Sequence, residues 1–230
     1  MKINITPSTH RVPDEQREKY VAEPGFGKYF TDHMVVAEWN QSSGWSDATV
    51  KEYGPLELDP AAMVFHYGQE IFEGMKAYSQ PDGSIALFRP EANGLRFAKS
   101  AARITLPELP VNDFVEAVKA LVVQDKGWVP KKIGESLYIR PFMIATEVGL
   151  GVRPSNKALF AVIATPSAAY FNAAKAVTVW ISTEYVRAAL GGTGEAKCGG
   201  NYAASLLAQQ QAAQQGCDQV VWLDAKERRW

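Results

Sequence analysis

The chain has 230 residues, 47% of them hydrophobic and 21% charged, with a formal net charge of −1. That length and balance suit one large domain or two smaller ones around a sizeable core, and with no basic stripe they exclude a polyanion partner such as a nucleic acid. Two cysteines, Cys198 and Cys217, cannot frame a disulfide-stabilised fold of this length. Residues 1–20 are polar and hold no signal-peptide core, and no stretch approaches the ~18 apolar residues of a membrane helix, so the cytoplasm is the expected address.

In chain order, the stretch to about Gly27 reads as loop and arm, because Pro7, Pro13, Pro24 and several charges interrupt any period. Residues 34–39 read as a strand, and residues 53–60 as a turn-rich connection. Residues 72–78 lead to the turn Pro81-Asp82-Gly83, and residues 84–89 return, which outlines a hairpin. A short helix is predicted over 93–103, before Pro107. The clearest helix covers 112–126, where Phe114, Val118, Leu121 and Val122 share one face; Asn112 is its expected N-cap and Gly127 its stop.

Three runs rich in β-branched and aromatic residues, 136–146, 158–165 and 176–183, read as strands. With the hairpin they make an α+β unit. The expected division is a small N-terminal α+β domain over 1–166, a hinge over 167–175, and the beginning of a second domain over 176–230. In the second unit a helix is predicted over 201–215, closed by Gly216, then a strand over 219–224 and a turn over 225–229. Trp230 would open a returning strand. A sheet edge left without that strand has unpaired backbone groups, so a longer protein is expected.

His10, His33 and His66 are scattered without metal-ligand spacing, and no His-x-Glu or Cys-x-x-Cys element supports zinc; structural or surface roles are expected, and no metal. The most informative residue is Lys197, in Gly191-Gly192-Thr193-Gly194-Glu195-Ala196-Lys197-Cys198-Gly199-Gly200-Asn201-Tyr202. Glycine lets backbone approach a ligand, and a lysine that attacks a carbonyl needs such a setting. The nucleotide-loop pattern fails, because Ala196 precedes Lys197 and Cys198 follows it. On this string alone a Schiff-base lysine stands beside a solvated lysine in a glycine-rich turn.

Six strings in order raise the first reading: Phe30-Thr31-Asp32-His33-Met34, His66-Tyr67-Gly68, Phe72-Glu73-Gly74-Met75-Lys76-Ala77, Leu87-Phe88-Arg89-Pro90, Ser136-Leu137-Tyr138-Ile139-Arg140-Pro141, and Lys197-Cys198-Gly199-Gly200-Asn201-Tyr202. Together they resemble the branched-chain-amino-acid aminotransferases, two-domain pyridoxal 5'-phosphate (PLP) enzymes of fold type IV with mixed α+β and α/β architecture. The resemblance implies that Lys197 holds PLP as a Schiff base, that Tyr202 bonds the cofactor's phenolic oxygen, and that Arg96 and Arg187 hold its phosphate. It also implies an acidic partner for the pyridine nitrogen, which by spacing falls just beyond Trp230.

The same resemblance places Tyr67, Phe72, Tyr138 and Tyr170 in an aromatic side-chain pocket suited to leucine, isoleucine or valine. Arg140 resembles the group that meets the glutamate side-chain carboxylate, with Tyr138 assisting. Leu150-Gly151-Val152 matches a loop that reaches the neighbouring site of a homodimer, and Tyr67 is expected to serve across that interface. The implied reaction is a ping-pong amino-group exchange with 2-oxoglutarate. Rival readings are a D-amino-acid transaminase or an aminodeoxychorismate-lyase-like enzyme of the same fold, and a non-catalytic truncated binding or dimerisation module.

Overall fold

The computed structural model describes residues 1–169 and 176–229. Its first elements are β1 (Ile3–Ile5), α1 (Asp14–Ala22), β2 (His33–Asn40), β3 (Gly44–Trp45) and β4 (Ala48–Glu52). Then come α2 (Met63–Tyr67), β5 (Glu70–Phe72), β6 (Met75–Ser79), β7 (Ile85–Leu87), the long helices α3 (Pro90–Arg103) and α4 (Val111–Gln124), and a 3-10 turn at Lys126–Trp128. β8 (Ser136–Ala145), β9 (Lys157–Ser167), β10 (Val179–Ser182), α5 (Gly199–Ala203), α6 (Leu206–Gln214) and β11 (Gln219–Trp222) follow.

The alternation along β8 sets the architecture. Leu137, Ile139, Met143 and Ala145 are fully buried, while Tyr138, Arg140, Phe142 and Ile144 point to the other, less buried face. β8 pairs antiparallel with β9 from Ser136↔Ser167 to Ala145↔Ala158. Around this pair the sheet runs β1-β4-β2-β9-β8-β6-β7, with β3 on β2 and β5 on β8. β1 is parallel to β4, and the other pairings in this sheet are antiparallel. β10 and β11 form a separate parallel pair. The first face of β8 belongs to the core with α3 and α4, where the Phe97, Phe114 and Phe160 rings lie 5.2–6.2 Å apart. Such aromatic clusters bury large apolar areas at low conformational cost.

The strands 34–39, 136–146 and 158–165 form as expected, and so does the hairpin, in which Ala77 faces Leu87 across the Pro81-Asp82-Gly83 turn. The N-terminal arm is different: it holds β1 and α1. β1 is recognised by a distant partner, β4, and α1 has no buried residue, so no apolar stripe betrays it in the sequence. Pro13 stands immediately before α1, where a missing N–H costs nothing. α3 starts at Pro90, three residues before Asn93, for the same reason. Pro110, not Asn112, precedes the first turn of α4, and Gly127 lies inside the 3-10 turn after the helix has already ended. The expected helix over 201–215 is two helices. Ser205 Oγ donates to the Tyr202 carbonyl at 2.7 Å, competing with the backbone at the break. The strand expected over 176–183 is confined to Val179–Ser182.

One buried polar pair pins the start of β2 to the end of α4. His33 Nε2 accepts from the Ser8 amide at 2.9 Å, which leaves the ring proton on Nδ1, 2.6 Å from Asp125 Oδ1. The other Asp125 oxygen accepts from the His33 amide at 3.0 Å. Both side chains are 1% exposed. Burial pushes the Asp125 carboxyl up, opposed by its hydrogen bonds from His33 and Thr31. Asp125→Ala removes the acceptor of two buried donors and is expected to cost about 3 kcal/mol in urea unfolding of the intact protein. A loss under about 0.5 kcal/mol would show that the pair is dispensable.

Candidate active site

Lys197 lies on a loop that is fastened from two sides. Its amide donates to Ser100 Oγ on α3 at 2.9 Å, and its carbonyl accepts from the Phe72 amide on β5 at 3.0 Å. Asn201 Nδ2 donates to the Thr193 and Ala196 carbonyls at 2.8 and 2.7 Å, and its Oδ1 accepts from the Thr193 hydroxyl at 2.7 Å. Arg103 Nη2, at the end of α3, donates to the Gly191 and Gly192 carbonyls at 3.0 Å each. The glycine-rich chain is therefore a fixed loop with satisfied polar groups.

The half-buried Lys197 side chain donates to the Tyr202 hydroxyl. Its Nζ lies 4.4 Å from the Phe72 ring centroid and 4.8 Å from that of Tyr202, and the two rings are 4.9 Å apart. Among the described residues no carboxylate forms an ion pair with this amine. It is presented between a phenol and an aromatic wall.

α3 supplies the cationic side of the site. Gly94, Phe97 and Ala101 are buried in the core, while Asn93, Arg96, Ser100 and Arg103 recur at helical spacing as a polar stripe. Glu73, fully buried between β5 and β6, accepts from Arg96 Nε at 2.6 Å, Arg96 Nη2 at 2.8 Å and Asn93 Nδ2 at 2.8 Å. This two-pronged pairing with Glu73 holds the Arg96 guanidinium above its usual range and fixes its plane. The Arg96 side chain is still 53% exposed.

β8 supplies the opposite wall. Phe72 faces Phe142 across β5 and β8, so Phe72, Tyr138 and Arg140 share one sheet face. The Arg140 guanidinium lies 4.7 Å from the Phe72 ring centroid and 5.4 Å from that of Tyr138, and its Nη2 donates to the Tyr138 hydroxyl at 3.0 Å. Arg140 Nε is buried without an acceptor among the described residues. A Cβ at Gly74 would overlap the Tyr138 hydroxyl, so this close approach requires glycine.

Thus Lys197, Tyr202, Phe72, Arg96, Tyr138 and Arg140 occupy one neighbourhood. Arg187 instead donates both Nη atoms to the Gly194 carbonyl at 3.3 Å, bracing the loop from its exposed side. The Tyr67 hydroxyl donates to the Leu150 carbonyl, and Leu150 and Val152 are exposed. Tyr67 and Val152 line a cleft of about 530 Å³ together with Thr193, Cys198 and Gly200, so they border the Lys197 loop from outside. Tyr170 lies outside the described residues. Glu73, Glu70, Ser100 and Asn201 escape the sequence reading, although the polar stripe of α3 was a usable signal for Ser100. No helix among the described residues is long and apolar enough to cross a membrane, and none of their His, Cys, Asp and Glu side chains form a group of three that could hold a metal.

Comparison with known proteins gives this geometry a family. The model for "Amino-transferase class IV" matches residues 70–228. The chain is 60% identical over 230 residues to a probable branched-chain-amino-acid aminotransferase of Streptomyces coelicolor, covering 99% of this chain and 64% of that protein. It is 58% identical to the branched-chain-amino-acid aminotransferase of Mycolicibacterium smegmatis, covering 100% and 63%. It therefore spans a little under two thirds of these relatives. Among solved structures, a T.th. branched-chain amino acid aminotransferase with pyridoxamine 5'-phosphate superposes with a TM-score of 0.64 at 26% identity, over 83% of this chain and 60% of that one. The mixed α and β architecture is that of the fold-type IV aminotransferases. With its loop lysine, its aromatic wall and its arginines inside the matched span, the chain belongs to the class IV aminotransferase family.

Proposed function

We propose that the intact protein moves the amino group of L-leucine, L-isoleucine or L-valine to 2-oxoglutarate, with PLP as cofactor and a ping-pong order of half-reactions. The observation that carries this reading is the Lys197 amine held on the Tyr202 hydroxyl against Phe72. The names of the Streptomyces and Mycolicibacterium relatives support the substrate class, and the pyridoxamine phosphate of the T.th. structure supports the cofactor.

The residues fit the group. Lys197 offers an amine for its aldehyde, Tyr202 a hydroxyl beside that amine, and Phe72 an apolar wall for its ring. Arg96 offers a preset guanidinium to an anion such as the phosphate, and Arg187 would add a second cation beside the same loop. Bound PLP supplies an electron sink next to the substrate α-carbon. Lys197 would hold the cofactor at rest and, once released, move the proton at that α-carbon as base and then acid. Tyr202 would orient the amine, and Phe72 would give it one apolar wall. Tyr138 joins Phe72 in receiving an aliphatic side chain; Tyr67, which borders the Lys197 loop from outside, would serve the neighbouring site of a homodimer, and Tyr170 keeps only the role that the resemblance implies. Arg140, whose buried Nε has no acceptor among the described residues and whose Nη2 donates to Tyr138, is suited to the distal carboxylate of glutamate.

β9, which runs to Ser167, and β10 belong to different sheets, which supports a first domain to about 166 and the start of a second over 176–230; most of the hinge expected over 167–175 lies outside the described residues. Gly149 donates to the Ala61 carbonyl and Tyr67 to the Leu150 carbonyl, tying α2 to the loop at 148–152. The joint surface exposes Phe65, Val148, Leu150 and Val152, an apolar patch suited to the partner of a homodimer.

Lys197→Ala is expected to abolish turnover of the intact protein, and borohydride reduction of the unaltered protein should fix PLP on the peptide containing Lys197. A label on another lysine, or near-normal turnover in the variant, would remove the assignment. Arg140→Ala is expected to slow the glutamate half-reaction by roughly 10- to 100-fold and the leucine half-reaction by less than about 3-fold in rapid-mixing measurements. Equal losses in both would detach Arg140 from substrate choice.

A further inference from the structure

β5 turns a second side chain toward the Lys197 loop. Glu70 lies two residues before Phe72, so both leave the strand on the same face. The Glu70 carboxylate accepts a hydrogen bond from the amide of Gly199, the first residue of α5. A Cβ on Gly199 would overlap that oxygen, so glycine at this position is a condition of the contact. The backbone of the same strand makes the other tie, from the Phe72 amide to the Lys197 carbonyl at 3.0 Å. β5 thus grips the chain on both sides of Cys198, and Tyr202 follows three residues later in the same helical turn.

α5 has five residues and no side-chain cap from Cys198. A helix so short cannot hold its own orientation by internal hydrogen bonds. Contacts from outside must help: Asn201 ties the turn back to Thr193 and Ala196, and Glu70 is the side chain that reaches its first amide and joins it to β5. Burial pushes the Glu70 carboxyl up, while the Gly199 amide and the Arg140 charge pull it back.

We propose that Glu70 is a positioning residue: by accepting the Gly199 amide it seats the 199–202 turn on β5 and sets how the Tyr202 hydroxyl meets the Lys197 amine. This rests on the role of Lys197 proposed above and assigns the alignment of that pair to a residue outside it. Glutamine in place of Glu70 keeps an acceptor oxygen at the same reach, whereas alanine removes it.

The test uses the intact protein loaded with PLP, comparing it with Glu70→Ala, Glu70→Gln and Gly199→Ala. The readouts are the pH midpoint of the visible band of lysine-bound PLP, the PLP dissociation constant, kcat/KM for leucine, and the thermal midpoint. Glu70→Ala should move the band midpoint by about half a pH unit or more and weaken both PLP binding and kcat/KM about 10-fold. Glu70→Gln should stay within about 3-fold of the unaltered protein. Gly199→Ala should reproduce Glu70→Ala, and the double variant should add little, because both open one contact. An unchanged midpoint in folded Glu70→Ala overturns the proposal, as does a fall in thermal midpoint alone or a Glu70→Gln loss as large as that of alanine. Should Glu70→Ala not fold, Gly199→Ala decides by the same midpoint. Absence of any lysine-dependent band in the unaltered protein overturns the cofactor reading and this proposal with it; a persistent, unmoved band overturns this proposal alone.

Discussion

The hydrogen bond from the Phe72 amide to the Lys197 carbonyl joins the large sheet to the loop that carries the amine. Its strength is ordinary, but its position is not. β5 is a three-residue strand on β8, and it ends where Glu73 and Gly74 divert the chain before β6 resumes the pairing. That interruption brings a backbone amide, the Phe72 ring and the buried Glu73 carboxylate to the same few ångströms of edge. The loop on the other side is held equally by Ser100 and Arg103, so the amine is located by two elements that pack on one another through the core.

The charges around it are arranged by the same economy of contacts. Glu73 is fully buried and would be untenable alone, yet it accepts from Arg96 through two nitrogens and from Asn93 and the Gly74 amide. Such a pair adds little net stability compared with apolar packing, but it removes the rotational freedom of a long side chain. Arg96 is therefore directed before any anion arrives. Arg140 is directed by different means, between two aromatic rings and a tyrosine hydroxyl.

Much of this was legible in the sequence where one period dominates. The β-branched and aromatic run over 136–146 and the i, i+4 face led by Phe114 made β8 and α4 visible, and the glycines about Lys197 marked a loop that needs close approach. The misses have distinct causes. α1 has no buried side chain, so nothing periodic marks it, and β1 exists only through its pairing with β4. The break between α5 and α6 comes from a serine hydroxyl turned onto a backbone carbonyl, which no propensity registers. Glu70 and Glu73 look like ordinary charges in a strand. Their roles depend on what the fold lays over them, an amide at Gly199 in one case and a guanidinium from α3 in the other.

α3 belongs to two neighbourhoods at once. Phe97 and Ala101 interlock with α4 and the sheet, while Arg96 pairs with Glu73 and Ser100 accepts from the Lys197 backbone amide, each a single residue away. A rigid rod cannot shift one side without the other. Repacking the interior for greater heat resistance would therefore rotate or translate the groups that face the chemistry, and selection on durability and selection on turnover must act on this helix together.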